Sequence, residues 1–232
     1  MAKIRRGVNL KDWKTNRADA GQGRLRIVGG RFKGRAIGYS GDPVTRPMKD
    51  NIREAVFNLV GGWVPGKVVF DLFAGTGAMG LEAISRGASN AVLIERHIPT
   101  VRIIEENVQL LDSDLPVTIE TSDSFFWIRQ FLKSPELRPK EPWVVFFCPP
   151  YADYVEKTDH VMAAIEGMAA AAPEGSLMVV ESDSRFDVSL LPDVHLDDPE
   201  STPTRQWVTR KYSPAVVSVW QKSAVESGEE LD

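Results

Sequence analysis

Between residues 67 and 182 the chain alternates short apolar runs with longer stretches whose apolar residues recur every three or four positions. KVVFDLF (67–73), ASNAVLIE (88–95), PVTIE (116–120), WVVFF (143–147) and GSLMVVES (175–182) read as strands. AMGLEAISRG, closed by Gly87, residues 98–110, SFFWIRQFL and YVEKTDHVMAAIEGMAAAA read as the helices between and after them. Strands apolar on both faces, alternating with helices, predict an α/β fold with a parallel sheet covered on two sides. RQWVTRKYSPAVVSVWQK predicts two further strands around a Ser-Pro turn, an antiparallel edge pair. Upstream, RLRIVGGRFKGRAI alternates about Gly29-Gly30 and predicts a β-hairpin. KDNIREAVFNLVGGW predicts a helix with Ile52, Val56, Phe57 and Val60 on one side, stopped by Gly61-Gly62. The expected organisation is a flexible basic arm (1–23), a hairpin-and-helix extension (24–62), the α/β domain (63–222) and an acidic tail (223–232).

Composition narrows the class. Hydrophobic residues make up 43% and charged residues 26% of the 232, ordinary for a globular protein. No apolar run approaches the roughly 20 residues a bilayer requires, and MAKIRRGVNLKDWK lacks a leader's apolar core. A cytoplasmic protein with no membrane contact is expected, with a monomer as the default. The single cysteine, Cys148, excludes an internal disulfide framework and a Cys-rich zinc site, and the three histidines are too scattered to suggest a metal. The net charge of −4 conceals a split. Residues 1–53 carry 14 Lys and Arg against four acids, whereas the remainder carries 14 against 28. That split points the N-terminal part at a polyanion such as nucleic acid.

FDLFAGTGAMG (70–80) sets Gly75, Gly77 and Gly80 just after the domain's first strand, at a helix start. This is G-x-G-x-x-G in its required context, with Phe73 inside the turn. Small residues there let a ligand approach the backbone and the helix N-terminus. The second strand ends in Glu95, 20 residues after Gly75, where a carboxylate can accept both ribose hydroxyls. The third ends in TSD, which turns Asp123 towards an adenine amino group. Together they indicate an adenosine-type ligand; the lesser alternative is that the glycines only make a tight turn and the acids only cap helices. The glycines alone do not separate NAD from S-adenosylmethionine. Asp71 favours the second, because a carboxylate there attracts an ammonium or sulfonium and repels a pyrophosphate.

FFCPPY (146–151) brings a buried-looking strand to an abrupt stop. Pro149 and Pro150 fix φ and contribute no N–H, which leaves carbonyls to accept hydrogen bonds. Tyr151 offers a ring that stacks on a planar base, a contact worth about 1–3 kcal/mol. Cys148, Pro149, Pro150 and Tyr151 are therefore the candidate catalytic group, a grip for a flat ring whose exocyclic amine points at acceptors.

FDLFAGTGAMGLEAISRGA, VLIE and FFCPPY together resemble the amino-group methyltransferases that carry a [DN]PP[FY] motif. RIVGGRFKGR and TRPMKDNIREAVFN narrow the likeness to the bacterial RsmD family, which methylates N2 of a guanine in small-subunit (16S) ribosomal RNA. The resemblance runs from about Arg24 to Gln221. It implies a class I methyltransferase sandwich, Rossmann-like and mostly parallel with an antiparallel edge pair, plus a small N-terminal β-hairpin extension. It further implies S-adenosyl-L-methionine as cofactor and the RNA of the small ribosomal subunit as partner. Asp71, Gly75, Gly77, Glu95 and Asp123 would inherit cofactor-binding roles. Thr45 and Arg46, with Asp50 and Arg53, would line the entrance between cofactor and RNA. Arg26, Arg31, Lys33 and Arg35 fall in the hairpin, where alternation would put the last three on one face, a row suited to phosphates.

Cys148 departs from the family pattern, which has Asp or Asn at that position. A thiol is a weak acceptor where a carboxylate or amide is a good one. Three accounts compete. The Pro149 carbonyl and Tyr151 hold the amine without it; the thiol ionises and replaces the carboxylate; or the chain is a weakened or inactive relative that still binds cofactor and RNA. An NAD-linked oxidoreductase is the remaining rival, and no Lys, Tyr or His stands in an evident hydride-transfer context.

Overall fold

A computed structural model describes residues 25–39, 48–192 and 207–222. Strands β1 (Leu25–Arg26) and β2 (Ala36–Ile37) make a small sheet of their own. Strands β3 (Val68–Asp71), β4 (Asn90–Glu95), β5 (Val117–Thr121), β6 (Trp143–Phe147), β7 (Leu177–Asp183), β8 (Val208–Tyr212) and β9 (Ala215–Gln221) form the main one. Its order is β5-β4-β3-β6-β7-β9-β8. The first five strands are parallel, whereas β9 runs antiparallel to β7 and β8 antiparallel to β9. This is the class I methyltransferase architecture that the resemblance implied, with the antiparallel pair closing one side of the sheet.

Helices cover both faces. The central strands β3 and β6 are buried along their whole length, which explains why they read as unbroken apolar runs. Helices α1 (Asp50–Val60), α2 (Ala78–Ser85) and α3 (Ile98–Leu111) pack on one face, against Val69, Val144, Phe146, Val179 and Val217. Helix α4 (Ser124–Lys133), the single turn α5 (Asp153–Glu156) and α6 (Thr158–Ala171) pack on the other, against Phe70, Val145, Phe147 and Val180. The sequence predicts one helix where α5 and α6 stand. Thr158 explains the break: its hydroxyl donates to the Tyr154 carbonyl at 2.7 Å, the acceptor a continuous helix would pair with the Thr158 N–H. Among the described residues no helix is long and apolar enough to cross a membrane.

The N-terminal extension is the predicted antiparallel hairpin, and its turn differs from the expected one. Its ladder, β1 against β2, is only two residues long on each side. Between them lies a 3₁₀ turn at Gly30–Phe32 instead of a tight Gly-Gly turn. Ile27 extends the pairing, its N–H donating to the Arg35 carbonyl at 2.9 Å and its carbonyl accepting the Gly34 N–H at 2.8 Å, and bonds to α2 secure the turn. Val28 N–H donates to Glu82 Oε2 at 2.7 Å and Phe32 N–H to Ser85 Oγ at 2.9 Å. The Ser85 hydroxyl donates in turn to the Gly29 carbonyl at 2.6 Å.

Arg53 completes this joint. Its side chain is fully buried, donating to Asp50 Oδ1 at 2.8 Å and to the Arg26 carbonyl. Its Nε faces Glu82 Oε2 at 3.8 Å, beyond hydrogen-bond reach. Glu82, also fully buried, accepts from Arg86 Nε at 2.8 Å. Removing one partner of such a buried set leaves an uncompensated charge. Arg53→Ala should therefore lower unfolding stability by about 3–5 kcal/mol, read from the denaturation midpoint in urea. A loss under about 1 kcal/mol, the scale of an exposed pair, would contradict the role of this network.

Candidate active site

Strands β3 and β6 lie side by side, with Asp71 in register with Phe146, while the chain leaves β3 towards β4 on the other side. This is the switch point of the sheet, where α/β proteins open a crevice beyond the strand ends. The glycine loop and the CPPY loop both leave the sheet here.

The glycine loop is shaped by backbone geometry. Gly77 caps α2 with φ of 76°, a left-handed conformation that a side chain would resist. Gly80 sits so near β4 that an added Cβ would lie 2.7 Å from Leu93 Cδ1. Asp71 is buried beneath the loop and its Oδ2 accepts the Gly80 N–H at 3.0 Å. Burial pushes its carboxyl up to about 7; the Gly80 bond opposes the rise and the charge of Glu95 adds to it. Glu95, half-buried, accepts from Gly75 N–H at 2.9 Å and His97 N–H at 2.8 Å. It thus fixes the loop to the end of β4. Asp123 caps α4 by accepting from Phe126 N–H at 3.0 Å, and Arg96 stands 3.9 Å away. The cap role is therefore present at Asp123, whereas Glu95 caps no helix. Phe73 is set edge-on between Phe125 and Phe147.

On the CPPY side Cys148 is partly buried, Pro149 buried and Pro150 exposed. Of the two proline carbonyls expected to be free, that of Pro150 accepts the Asp153 N–H at 2.9 Å and starts α5. Tyr151 donates its hydroxyl to Glu181 Oε1 at 2.7 Å. Tyr154 donates to the Glu181 backbone carbonyl at 2.8 Å. Burial pushes the Cys148 thiol well above its ordinary value, and the charges of Glu181 and Asp71 push the same way. Acidic and apolar surroundings thus disfavour an ionised thiol standing in for a carboxylate. Burial also raises Glu181, with the Tyr151 hydroxyl bond opposing. Sequence reasoning missed Glu181, which reads there only as part of a strand. The available signal is its place near the end of the strand beside β6.

Asp71, Glu95 and Glu181 thus gather acidic charge at the ends of three parallel strands. Among the described residues none of the three meets a Lys or Arg within 4.0 Å. Such a crevice suits a cation and disfavours a pyrophosphate.

The expected phosphate-binding row is corrected by the structure. Arg31, Lys33 and Arg35 do not alternate along a strand, because Gly30–Phe32 is a 3₁₀ turn. Arg31 is exposed and lies over the Phe32 ring, 4.5 Å from its centre. Lys33 is exposed. Arg35 donates to the Leu111 carbonyl at 2.8 Å and to that of Leu110, so it caps the end of α3. Arg26 is exposed and pairs with Asp50 at 3.4 Å. Arg53, expected at the RNA entrance, is buried and unavailable to a phosphate. Thr45 and Arg46 lie outside the described residues.

Asp71 gives a stability test with a definite sign. Its folded pKa, about 7, exceeds its ordinary 3.8, so the native state holds a proton that the unfolded chain releases. Stability is full below the unfolded value and is lost as pH rises to about 7. Asp71→Asn keeps an acceptor for Gly80 without the charge. It should be more stable than the parent at pH 8, by on the order of a few kcal/mol, with the gain vanishing as the pH approaches 4. Unfolding curves across that range check this, and a pH-independent difference would refute it.

The family described as Conserved hypothetical protein 95 matches residues 25–195. Ribosomal RNA small subunit methyltransferase D of Buchnera aphidicola (from Acyrthosiphon pisum) is 30% identical over 60% of this chain and 70% of its own. The Escherichia coli K12 enzyme of the same name is 43% identical, over 33% of this chain and 38% of its own. Among solved structures, a hypothetical protein of Thermus thermophilus is 24% identical with a TM-score of 0.62, covering 85% of this chain and 99% of that one, a likeness of fold. With the family matched across most of its length, the chain belongs to the Conserved hypothetical protein 95 family, the RsmD-like group of methyltransferases.

Proposed function

We propose that the protein transfers a methyl group from S-adenosyl-L-methionine to the exocyclic N2 amine of a guanine in 16S ribosomal RNA. The observation that carries this reading is the meeting of two loops at the switch point. A glycine loop over the buried Asp71 and a Pro-Pro-Tyr turn leave neighbouring strands at the same end of the sheet. The relatives named for small-subunit rRNA methylation support the substrate class.

The residues present fit the cofactor. Asp71 is a buried carboxylate with no cation partner among the described residues, and a bound ammonium or sulfonium would relieve its desolvation. Gly75 and Gly77 open the backbone to the ligand, Glu95 and Asp123 serve its ribose and base, and Phe73 borders it. Thr45 stands with them from the sequence. The cofactor supplies an electrophilic methyl on sulfur. The protein's share is to bring a nucleophilic amine into line and to receive its proton.

The target guanine would leave its stack to reach the crevice, an extrusion that costs a few kcal/mol. Tyr151 has its hydroxyl tied to Glu181, which fixes the ring that would stack on the base. Arg26, Arg31 and Lys33 remain exposed on the extension for backbone phosphates, with Arg46 beside them in sequence. The thiol of Cys148 keeps open a second reading, an RNA-binding protein that holds the cofactor without transfer, because a neutral thiol accepts an amine hydrogen poorly.

Two measurements test the proposal. S-adenosylhomocysteine should bind in calorimetric titration while NAD does not, and Asp71→Asn should weaken that binding at least about tenfold, the equivalent of 1.4 kcal/mol. Labelled methyl should pass from S-adenosylmethionine to 30S particles from cells lacking this activity, on a guanine that becomes N2-methylated. Binding of cofactor and RNA without transfer would replace the reading with the second one.

A further inference from the structure

We propose that Glu181 is a catalytic residue of this site, whose Oε2 accepts a hydrogen of the target amine and takes the proton as the methyl group moves. The inference deepens the methyl-transfer reading above and rests on it.

The register of the sheet puts the residue there. Phe147 of β6 pairs with Val180 of β7, so the next step along both parallel strands sets Cys148 beside Glu181. Asp71 pairs with Phe146, two residues before Cys148. Successive side chains alternate faces along a strand. Asp71, Cys148 and Glu181 therefore share one face, at the ends of three adjacent strands. Cys148 is close enough to both acids for their charges to act on its thiol. The thiol is thus a neutral group between two carboxyls, and it cannot draw a proton from an amine. Of its neighbours, Asp71 is buried and committed to Gly80, beneath the loop that would hold the cofactor. Glu181 is only partly buried and lies on the CPPY side.

Its hydrogen bonds leave one oxygen for a ligand. Oε1 accepts the Tyr151 hydroxyl, and Oε2 takes no hydrogen bond among the described residues. Tyr154 anchors the backbone carbonyl of the same residue. The partner clamping Oε1 is the ring that stacks on the base, so base and acceptor are positioned by one contact. Burial raises the Glu181 carboxyl, which brings it nearer the range where a general base works at neutral pH.

The step balances. The N2 lone pair forms a bond to the methyl carbon, the carbon–sulfur bond breaks, and its electron pair stays on sulfur as the neutral thioether. The proton leaves N2 for Glu181 Oε2 and then passes to solvent. No oxidant or further reactant is required.

The test uses the full chain, with 30S particles as substrate. Glu181→Gln should lower kcat by about 100-fold or more, within the range for loss of a general base. Its KM values and S-adenosylhomocysteine affinity should stay within about threefold. Adding Cys148→Asp to that variant should restore at least about tenfold of the rate, because a carboxylate then stands one strand away. Tyr151→Phe, which retains the acceptor, should cost less than Glu181→Gln. Wild-type kcat in Glu181→Gln would overturn the proposal. So would a rate loss matched by equal losses of cofactor affinity and melting temperature, which marks a structural role. If the parent protein binds cofactor and RNA but transfers no methyl, the methyl-transfer reading itself fails, and Glu181 with it.

Discussion

The carboxylate of Glu82 is the contact on which the relation between the two parts of the molecule depends. It sits in the apolar interior and would be costly there alone. Three groups hold it: the Val28 N–H, the Arg86 guanidinium and, at longer range, the buried Arg53. Val28 belongs to the extension, Arg53 to α1 and Arg86 to the end of α2. One buried charge therefore fixes three segments at once, and none can shift without exposing it unpaired. Helix α2 is also the helix that the glycine loop opens. The distance between the extension and the cofactor loop is set by a single rigid element, eight residues long. An RNA bound to the extension would meet the crevice in a fixed position.

The crevice follows a different logic. Asp71, Glu95 and Glu181 stand at the ends of β3, β4 and β7 without basic partners among the described residues. Leaving a buried carboxyl unpaired costs stability, because burial disfavours its charged form. Asp71 bears this most clearly, pushed by its burial up to about 7. Strain of this kind persists at functional sites because a ligand relieves it. A cationic methyl donor is such a ligand: its ammonium persists in the product while its sulfonium charge is lost, so these acids would hold the donor more tightly than the thioether that leaves.

The sheet and the two loops were legible in the sequence because each has a local cause. Strands buried on both faces must be apolar throughout, so KVVFDLF and WVVFF declared themselves. The glycine loop needs Gly77 for its left-handed turn and Gly80 for its close approach to Leu93, so its spacing is informative without a fold. What stayed hidden depends on distant partners. The Gly29-Gly30 pair marks a hairpin, but its turn is a 3₁₀ turn held by Glu82 and Ser85, more than fifty residues away. Arg53 and Arg35 look like surface bases in a basic segment. One is buried in an ion-pair network and the other caps α3. Charge composition counts such residues without revealing where their partners lie.

Glu181 was hidden for a related reason. In GSLMVVES it is one acid near a strand end, and nothing local separates it from a solvent-facing residue. Its meaning appears only when β6 and β7 are laid side by side and the thiol of Cys148 is seen to be neutral. A motif read along the chain treats Cys148 as a defect in a four-residue signature. Read across the sheet, the acceptor of the motif can be supplied from the adjacent strand. Parallel neighbours place side chains of matching register on the same face, so a carboxylate moved one strand over remains within reach of the same crevice. The tie from Tyr151 would then do for Glu181 what a rigid Pro-Pro turn would do for a residue within the motif, holding the proposed acceptor still beside the ring proposed to stack on the base.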